Sequence, residues 1–279
     1  MLEIDIKQRI LSSKMKINVI TYCSGYNFSV YDRFIGSLND TGFSGSIYLV
    51  VNEFDKPIIE ILQRKYANIY PVYDTIKKST HINCHRFFCY ESLLKLDFDC
   101  DYLLICDSRD VLFQKNIENY PFDKDVDIYG FMEGITIEKE QVFNAKWIRM
   151  LEYLFQESIY DHICHNKVIC CGTTIGKKES IIKYVNAMCD YIKKYNIAMN
   201  LDQGLHNYML YCNTLRLNIK LLDNENNLVN TVGNDLHKIN ADKLIVNKND
   251  EVSWIVHQYD RFSSELRRQI SVKYDFTCS

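Results

Sequence analysis

The chain has 279 residues, a length that fits one large α/β domain as readily as two smaller ones. Lys and Arg total 33 against 36 Asp and Glu, for a net charge of −3, which excludes a globally basic nucleic-acid binder. With 47% hydrophobic residues, and only 10 Gly and 3 Pro, the chain is neither disordered nor linker-dominated. Eleven cysteines are an odd number, so at least one thiol stays unpaired or pairs with another chain. Met1 to Lys16 is mixed and charged, without the apolar core of a secretion signal, and no run reaches the ~18 apolar residues of a membrane span. A cytoplasmic protein with reduced, mostly buried cysteines and no transmembrane segment is expected.

The predicted elements alternate. Residues 1–15 read as a short helix or arm. Ile17 to Cys23 is β-branched and aromatic, hence a strand, and Ser24-Gly25 turns it. Val30, Phe34 and Leu38 recur at helical spacing up to Asn39. A strand follows at 46–51. Pro57 opens a helix that runs over 58–65. Ala67 to Tyr73 is a third strand, and His81 to Leu96 a helix with Phe87, Tyr90, Leu93 and Leu94 on one side. Tyr102 to Cys106 is a wholly apolar strand, the kind buried on both faces. Such alternation implies an open, mostly parallel twisted sheet, whose ligands bind outside the carboxyl ends of its strands. Further on, helices are expected over 146–160 and 180–195. No linker or repeat divides the chain, so a single domain with an elaborated second half is expected.

The buried strand stops at Asp107-Ser108-Arg109-Asp110, and apolar character resumes at once in Val111-Leu112-Phe113. Two carboxylates three residues apart on such a turn can converge on a hard divalent cation, Mn²⁺ or Mg²⁺, able to clamp a diphosphate. The alternative is a solvated turn with a local Arg109 ion pair.

Leu103 to Gln114 resembles the D-x-D-type segment of nucleotide-sugar-dependent glycosyltransferases of the GT-A fold, in a D-x-R-D-V-x-F-Q version. Three more segments arrive in that family's order: Cys171-Gly172-Thr173-Thr174-Ile175-Gly176 is similar to its small-residue segment, Asp202-Gln203-Gly204-Leu205-His206-Asn207 to its D-Q-x-x-x-N segment, and Val256-His257-Gln258-Tyr259-Asp260-Arg261 to its C-terminal H-Q-Y-D-R segment. Two departures stand out: the spacing is D-x-x-D, and Cys171 replaces the usual Asn or Ser. The resemblance implies a Rossmann-like GT-A domain over 1–279, its donor half at about 16–114 and its acceptor half at about 115–265. It implies a hexosyltransferase-type enzyme using a nucleotide-sugar donor, a UDP-sugar as the family's commonest, and a glycan, protein or small-molecule acceptor. Asp107, Asp110 and His257 are then the metal ligands. Tyr22, Arg86, Asp107, Ser108, Arg109, Gly172 and Gln203 bind the donor, and Asp202 and Asp110 are catalytic. A non-catalytic sugar or nucleotide-sugar binder and a metal-dependent phosphatase are the rival readings.

Each of these residues also has a structural alternative. His257, beside Trp254-Ile255-Val256, fits a core histidine as well as a ligand. Arg86 is a bidentate phosphate donor or an exposed partner of Glu91 or Asp74. Tyr22 or Tyr26 could stack on the base. Gly172 and Gly176 suit a wall against a sugar ring. Asp202 is a sugar-facing carboxylate or a helix N-cap. Zinc is a further reading of His81, Cys84, His85 and Cys89, and of His162, Cys164 and His165, though neither group has a paired C-x-x-C.

Overall fold

The computed structural model describes residues 15–233 and 238–261; the arm expected over 1–15 lies, but for Met15, outside them. Twelve strands are described: β1 Ile17–Tyr22, β2 Ile47–Val51, β3 Ile69–Tyr73, β4 Tyr102–Cys106, β5 Val111–Phe113, β6 Ile128–Thr136, β7 Lys167–Lys177, β8 Ile219–Leu222, β9 Val229–Thr231, β10 Lys238–Ile239, β11 Ile245–Val246 and β12 Ile255–His257. The helices are α1 Phe28–Asp40, α2 Lys56–Lys65, α3 Ile82–Leu93, α4 Asn144–Phe155, α5 Tyr160–Ile163, α6 Lys178–Lys194 and α7 Asp202–Tyr211. Seven strands form one sheet in the order β3-β2-β1-β4-β7-β6-β8. The first four are parallel, as their β-α alternation requires. β7 then runs antiparallel to both β4 and β6, and β8 joins β6 in parallel.

β4 shows why a wholly apolar run sits in the middle. Leu103 and Ile105 belong to the core on one face of the sheet, and Tyr102, Leu104 and Cys106 to the core on the other. Helices α3, α4, α6 and α7 cover the first face, and α1 and α2 the second.

Local chemistry sets the helix limits. Asn27 caps α1 by accepting the Val30 N–H at 3.2 Å. The expected helix over 81–96 ends at Leu93, and that over 146–160 stops at Phe155, where Gln156 turns left-handed at φ 56°. Among the described residues ten cysteines are free, most of them buried, and no helix is long and apolar enough to cross a membrane.

Two pairings position the candidate site. In β4/β7, Cys106 lies opposite Thr173, so the next residue on, Asp107, donates its N–H to the Gly172 carbonyl at 2.8 Å. In a separate three-stranded sheet, β5-β12-β9, Val111 lies opposite His257, and Gln258 donates its N–H to the Asp110 carbonyl at 2.9 Å. The acidic turn is therefore held at both ends by strands that arrive far later in the chain.

Candidate active site

Asp107, Asp110 and His257 meet at this corner, each offering one ligand atom, with all three atoms within 4.8 Å of one another. His257 Nε2 stands 3.6 Å from Asp107 Oδ2 and 3.6 Å from Asp110 Oδ1. These gaps exceed hydrogen-bond length, yet one cation with ligands at about 2.0–2.6 Å could span them. The imidazole is oriented from behind: its Nδ1 faces Cys170 Sγ at 3.5 Å and Thr173 Oγ1 at 3.4 Å, which leaves Nε2 for the corner.

Gly172 makes room for the set. A Cβ there would collide with the His257 ring and with Asp107 Oδ2. Two hard oxygens, one imidazole and a cradle that only glycine leaves open together fit a divalent cation of the Mn²⁺ or Mg²⁺ kind.

The electrostatics of the corner agree. Partial burial would raise the Asp107 carboxyl, but Arg86 and His257 outweigh it and hold it well below the usual carboxylate range. Burial raises Asp110, helped by repulsion from Asp107 and Asp260 against the pull of His257 and Arg109. Burial would lower His257, but Cys170, Asp110 and Asp107 together push it well above its ordinary value. Without a metal, the imidazolium is thus the cation that the two carboxylates share.

Arg86, on α3, is neither exposed nor paired with Glu91 or Asp74. Its guanidinium bridges Asp107 Oδ1 and Asp202 Oδ2, the latter at 2.9 Å. Asp202 is the first residue of α7 and makes no capping bond, so its carboxylate serves Arg86 instead. Beside it, Gln203 Nε2 donates to Asn144 Oδ1 at 2.9 Å. Asn207, one turn on, accepts the Ile169 N–H and donates to the Ile169 carbonyl, each at 2.8 Å, and so fastens α7 to β7.

These groups line a two-lobed cleft at the carboxyl ends of β1 and β4. The smaller lobe, 390 Å³, is lined by Tyr22, Ser24, Tyr26, Ser108 and Arg109. The larger, 520 Å³, contains Gly172, Asp202, Gln203 and His257. Asn83, Arg86, Asp107, Arg109 and Asp110 belong to both. Ser108 Oγ is buried without a hydrogen-bond partner. The Arg109 carbonyl is fixed by Arg33 and by Tyr259 Oη at 2.8 Å, while its half-exposed guanidinium reaches Asp260 at 3.1 Å. Tyr22 lines the lobe with its hydroxyl donated to Asp74 Oδ2 at 2.9 Å.

All the sequence-predicted site residues therefore line one cleft, with one correction among the neighbouring glycines. Gly176 is not part of the wall: a Cβ there would strike the Asp127 carbonyl and Ile128, so it serves sheet packing. Sequence reasoning missed Asn144, Glu133, Asn200 and the aromatics Phe143 and Trp147, all of which line the larger lobe. From the sequence, Gln258 stands out only as a member of the H-Q-Y-D-R segment. Its φ of +64° is a left-handed conformation costly for a non-glycine residue, held where its side chain faces Glu133 at 3.4 Å.

No protein-family model matches this sequence, nor does any curated protein. Solved structures do match. The galactosyltransferase LgtC, in complex with donor and acceptor sugar analogues, is similar at a TM-score of 0.57 and 11% identity, over 94% of this chain and 97% of that one. An active-site mutant of LgtC gives 0.56 and 12% over the same spans. The chain has the GT-A fold of these enzymes, with a mostly parallel central sheet flanked by helices.

Proposed function

We propose that this chain is a divalent-cation-dependent glycosyltransferase of the hexosyltransferase type, which moves a sugar from a UDP-sugar to a glycan or protein acceptor. The observation that carries the reading is the convergence of Asp107, Asp110 and His257 around the space left by Gly172, inside a cleft of a GT-A fold. Asp107, Asp110 and His257 would hold Mn²⁺ or Mg²⁺, and that cation supplies positive charge to the departing diphosphate. Tyr22, Ser108 and Arg109 line the lobe suited to the nucleoside diphosphate, where the unpartnered Ser108 hydroxyl and the Arg109 guanidinium offer donors to phosphate. Gly172, Arg86, Gln203 and Asp202 face the donor sugar. Arg86, clamped between two carboxylates, fixes the orientation of Asp202.

In the transfer, an acceptor hydroxyl oxygen bonds to the anomeric carbon. The bond from that carbon to the diphosphate breaks with its electron pair passing to UDP, and the hydroxyl proton leaves to the departing phosphate. The negative charge of Asp202 suits sugar hydroxyls and the positive charge that builds on the sugar, rather than phosphate, which it would repel.

The test is incubation with Mn²⁺ and a panel of nucleotide sugars, with release of UDP or GDP as readout. Release dependent on Mn²⁺ is expected, and full activity in EDTA overturns the metal assignment. Thermal-shift titration with Mn²⁺ should show UDP stabilising more than GDP or CDP, by mass action on the folded state; equal shifts remove the uridine assignment.

A further inference from the structure

The larger lobe has a second wall that the donor chemistry does not use. Phe143, just before α4, and Trp147, one turn into it, lie side by side with ring centroids 5.5 Å apart and planes tilted by 30°. Both line the lobe that contains Asp202 and Gln203, yet Phe143 is 56% exposed and its neighbour Val142 59%. Apolar rings left in water at the mouth of a polar cleft mark a binding surface.

The segment that carries the rings is anchored through its backbone. Glu140 Oε2 accepts the N–H groups of Phe143 at 3.1 Å and Asn144 at 2.6 Å, and the Asn144 side-chain amide at 2.9 Å. Trp147 is seated against Gly204 of α7, where an added Cβ would come within 2.9 Å of its own Cβ. Amide groups stand beside the rings: Asn144 and Gln203, bonded to each other, and Asn200, whose buried side-chain oxygen has no partner.

We propose that this lip is the acceptor subsite and that its occupant is a saccharide, one pyranose ring lying over Trp147 and Phe143 with its hydroxyls turned to the amides. The proposal rests on the glycosyltransfer reading above. A pyranose has what this wall asks for, an apolar C–H face for the rings and an equatorial rim of donors and acceptors for Asn144 and Asn200. An acyl chain would cover the rings but strand the amides, and an extended peptide finds no open strand edge on this helical wall to pair with.

The experiment follows maltose, cellobiose and lactose on the full chain with Mn²⁺ and UDP-sugar, by transfer kinetics and by saturation-transfer NMR. At least one disaccharide should bind, with saturation strongest on the C–H protons of one ring. Phe143→Ala and Trp147→Ala should each raise its KM or Kd roughly fivefold to tenfold, the scale of one lost aromatic contact. Hydrolysis of the donor without acceptor should stay unchanged. Trp147→Phe should recover most of the loss. Because Trp147 is partly buried and its alanine variant risks misfolding, exposed Phe143 decides the matter alone. No saccharide bound, or an unchanged constant in Phe143→Ala, overturns the proposal, as does efficient use of a peptide or lipid acceptor insensitive to both variants. Absence of any Mn²⁺-dependent donor turnover overturns the glycosyltransfer reading instead, and disaccharide binding by NMR then still decides what the lip recognises.

Discussion

Two groups of side chains near the cleft have almost the same donor chemistry, and they behave in opposite ways. Asp74, His85 and Cys89 lie close enough to hold a metal, as do Asp107, Asp110 and His257. In the first group the ligand atoms are already spent on one another and their neighbours. His85 Nε2 meets Asp74 Oδ2 at 2.9 Å, the Tyr22 hydroxyl donates to that same oxygen at 2.9 Å, and the Ile76 N–H donates to Oδ1 at 3.1 Å. The two side chains of the pair are 0% and 1% exposed. Burial would raise Asp74, but the Tyr22 and His85 hydrogen bonds outweigh it and hold the carboxyl low. In the second group every gap to the imidazole is 3.6 Å, and the atoms face a cleft. Spacing of residue types alone does not distinguish the two groups; what does is whether the mutually facing ligand atoms are already paired, His85 Nδ1 on the far side of its ring being left without a partner. The zinc reading of His85 and Cys89 is weakened on this ground, because the atoms that face one another are already hydrogen-bonded.

The largest effect expected from breaking this contrast is at Asp110. Asp110→Ala removes one of the three proposed ligands and should cut Mn²⁺-dependent turnover by about 10³-fold, the several kcal/mol that a bound cation contributes to a departing anion. Circular dichroism and the thermal midpoint should change little, since the Asp110 carbonyl, not its side chain, accepts the Gln258 N–H. Turnover in Asp110→Ala equal to the parent's would place the two groups on the same footing.

Asp202 sharpens the contrast within the cleft itself. Asp202→Asn keeps size and hydrogen bonding but removes charge, so turnover should fall about 10²-fold while UDP affinity barely moves, as for an interaction made mainly in the transition state. Single-turnover kinetics beside a UDP titration separates the two constants. Weakened UDP binding with turnover spared at saturation would put Asp202 in the nucleotide shell.

The difference between the groups also explains what could be read from the sequence. Each β-α unit of the first half is a local pattern, so strands β1 to β4 and their helices are legible within a few residues. The acidic turn and His257 are legible because each sits at the edge of an apolar run. The eleven-residue β7 is not legible as a strand, because two cysteines, two glycines and two threonines hide its periodicity. The Tyr22–Asp74–His85 network was illegible, as its members come from three separate elements and only packing joins them. The aromatic lip was hidden for the opposite reason: at helical spacing Trp147 reads as core, and only the structure leaves Phe143 in water.

A smaller effect is expected at the Asp74 network. Asp74→Asn keeps the shape but leaves donors facing donors around a buried site, a cost of about 1–3 kcal/mol. Urea unfolding should show that loss, while Mn²⁺ affinity by isothermal titration stays at the parent's value. Weaker Mn²⁺ binding in this variant would tie the two groups together energetically.

The smallest effect concerns another buried histidine, His206 of α7, whose Nδ1 pairs with the Tyr184 hydroxyl at 2.8 Å while its Nε2 has no partner. Burial and the nearby charge of Arg86 lower its pKa to about 3, from an ordinary 6.5. As pH falls below 6.5 the unfolded chain takes up a proton that the native chain refuses, so the unfolded state gains. The stabilisation is therefore fully present above pH 6.5 and is lost progressively toward pH 3, with a slope of at most about 1.4 kcal/mol per pH unit. His257 runs the other way: raised above its ordinary value, its contribution is present at low pH and is lost as pH rises through its folded value. His206→Gln removes the first titration and leaves the second. Urea unfolding of parent and variant at pH 6, 5 and 4 isolates it, because groups common to both cancel in the difference. The variant should begin less stable at pH 6, through a weakened Tyr184 bond, and lose stability more slowly on acidification, so that the two curves converge toward pH 4. Parallel curves would mean that the imidazole is charged in the native protein, and the closed wall of α7 would then resemble the open corner after all.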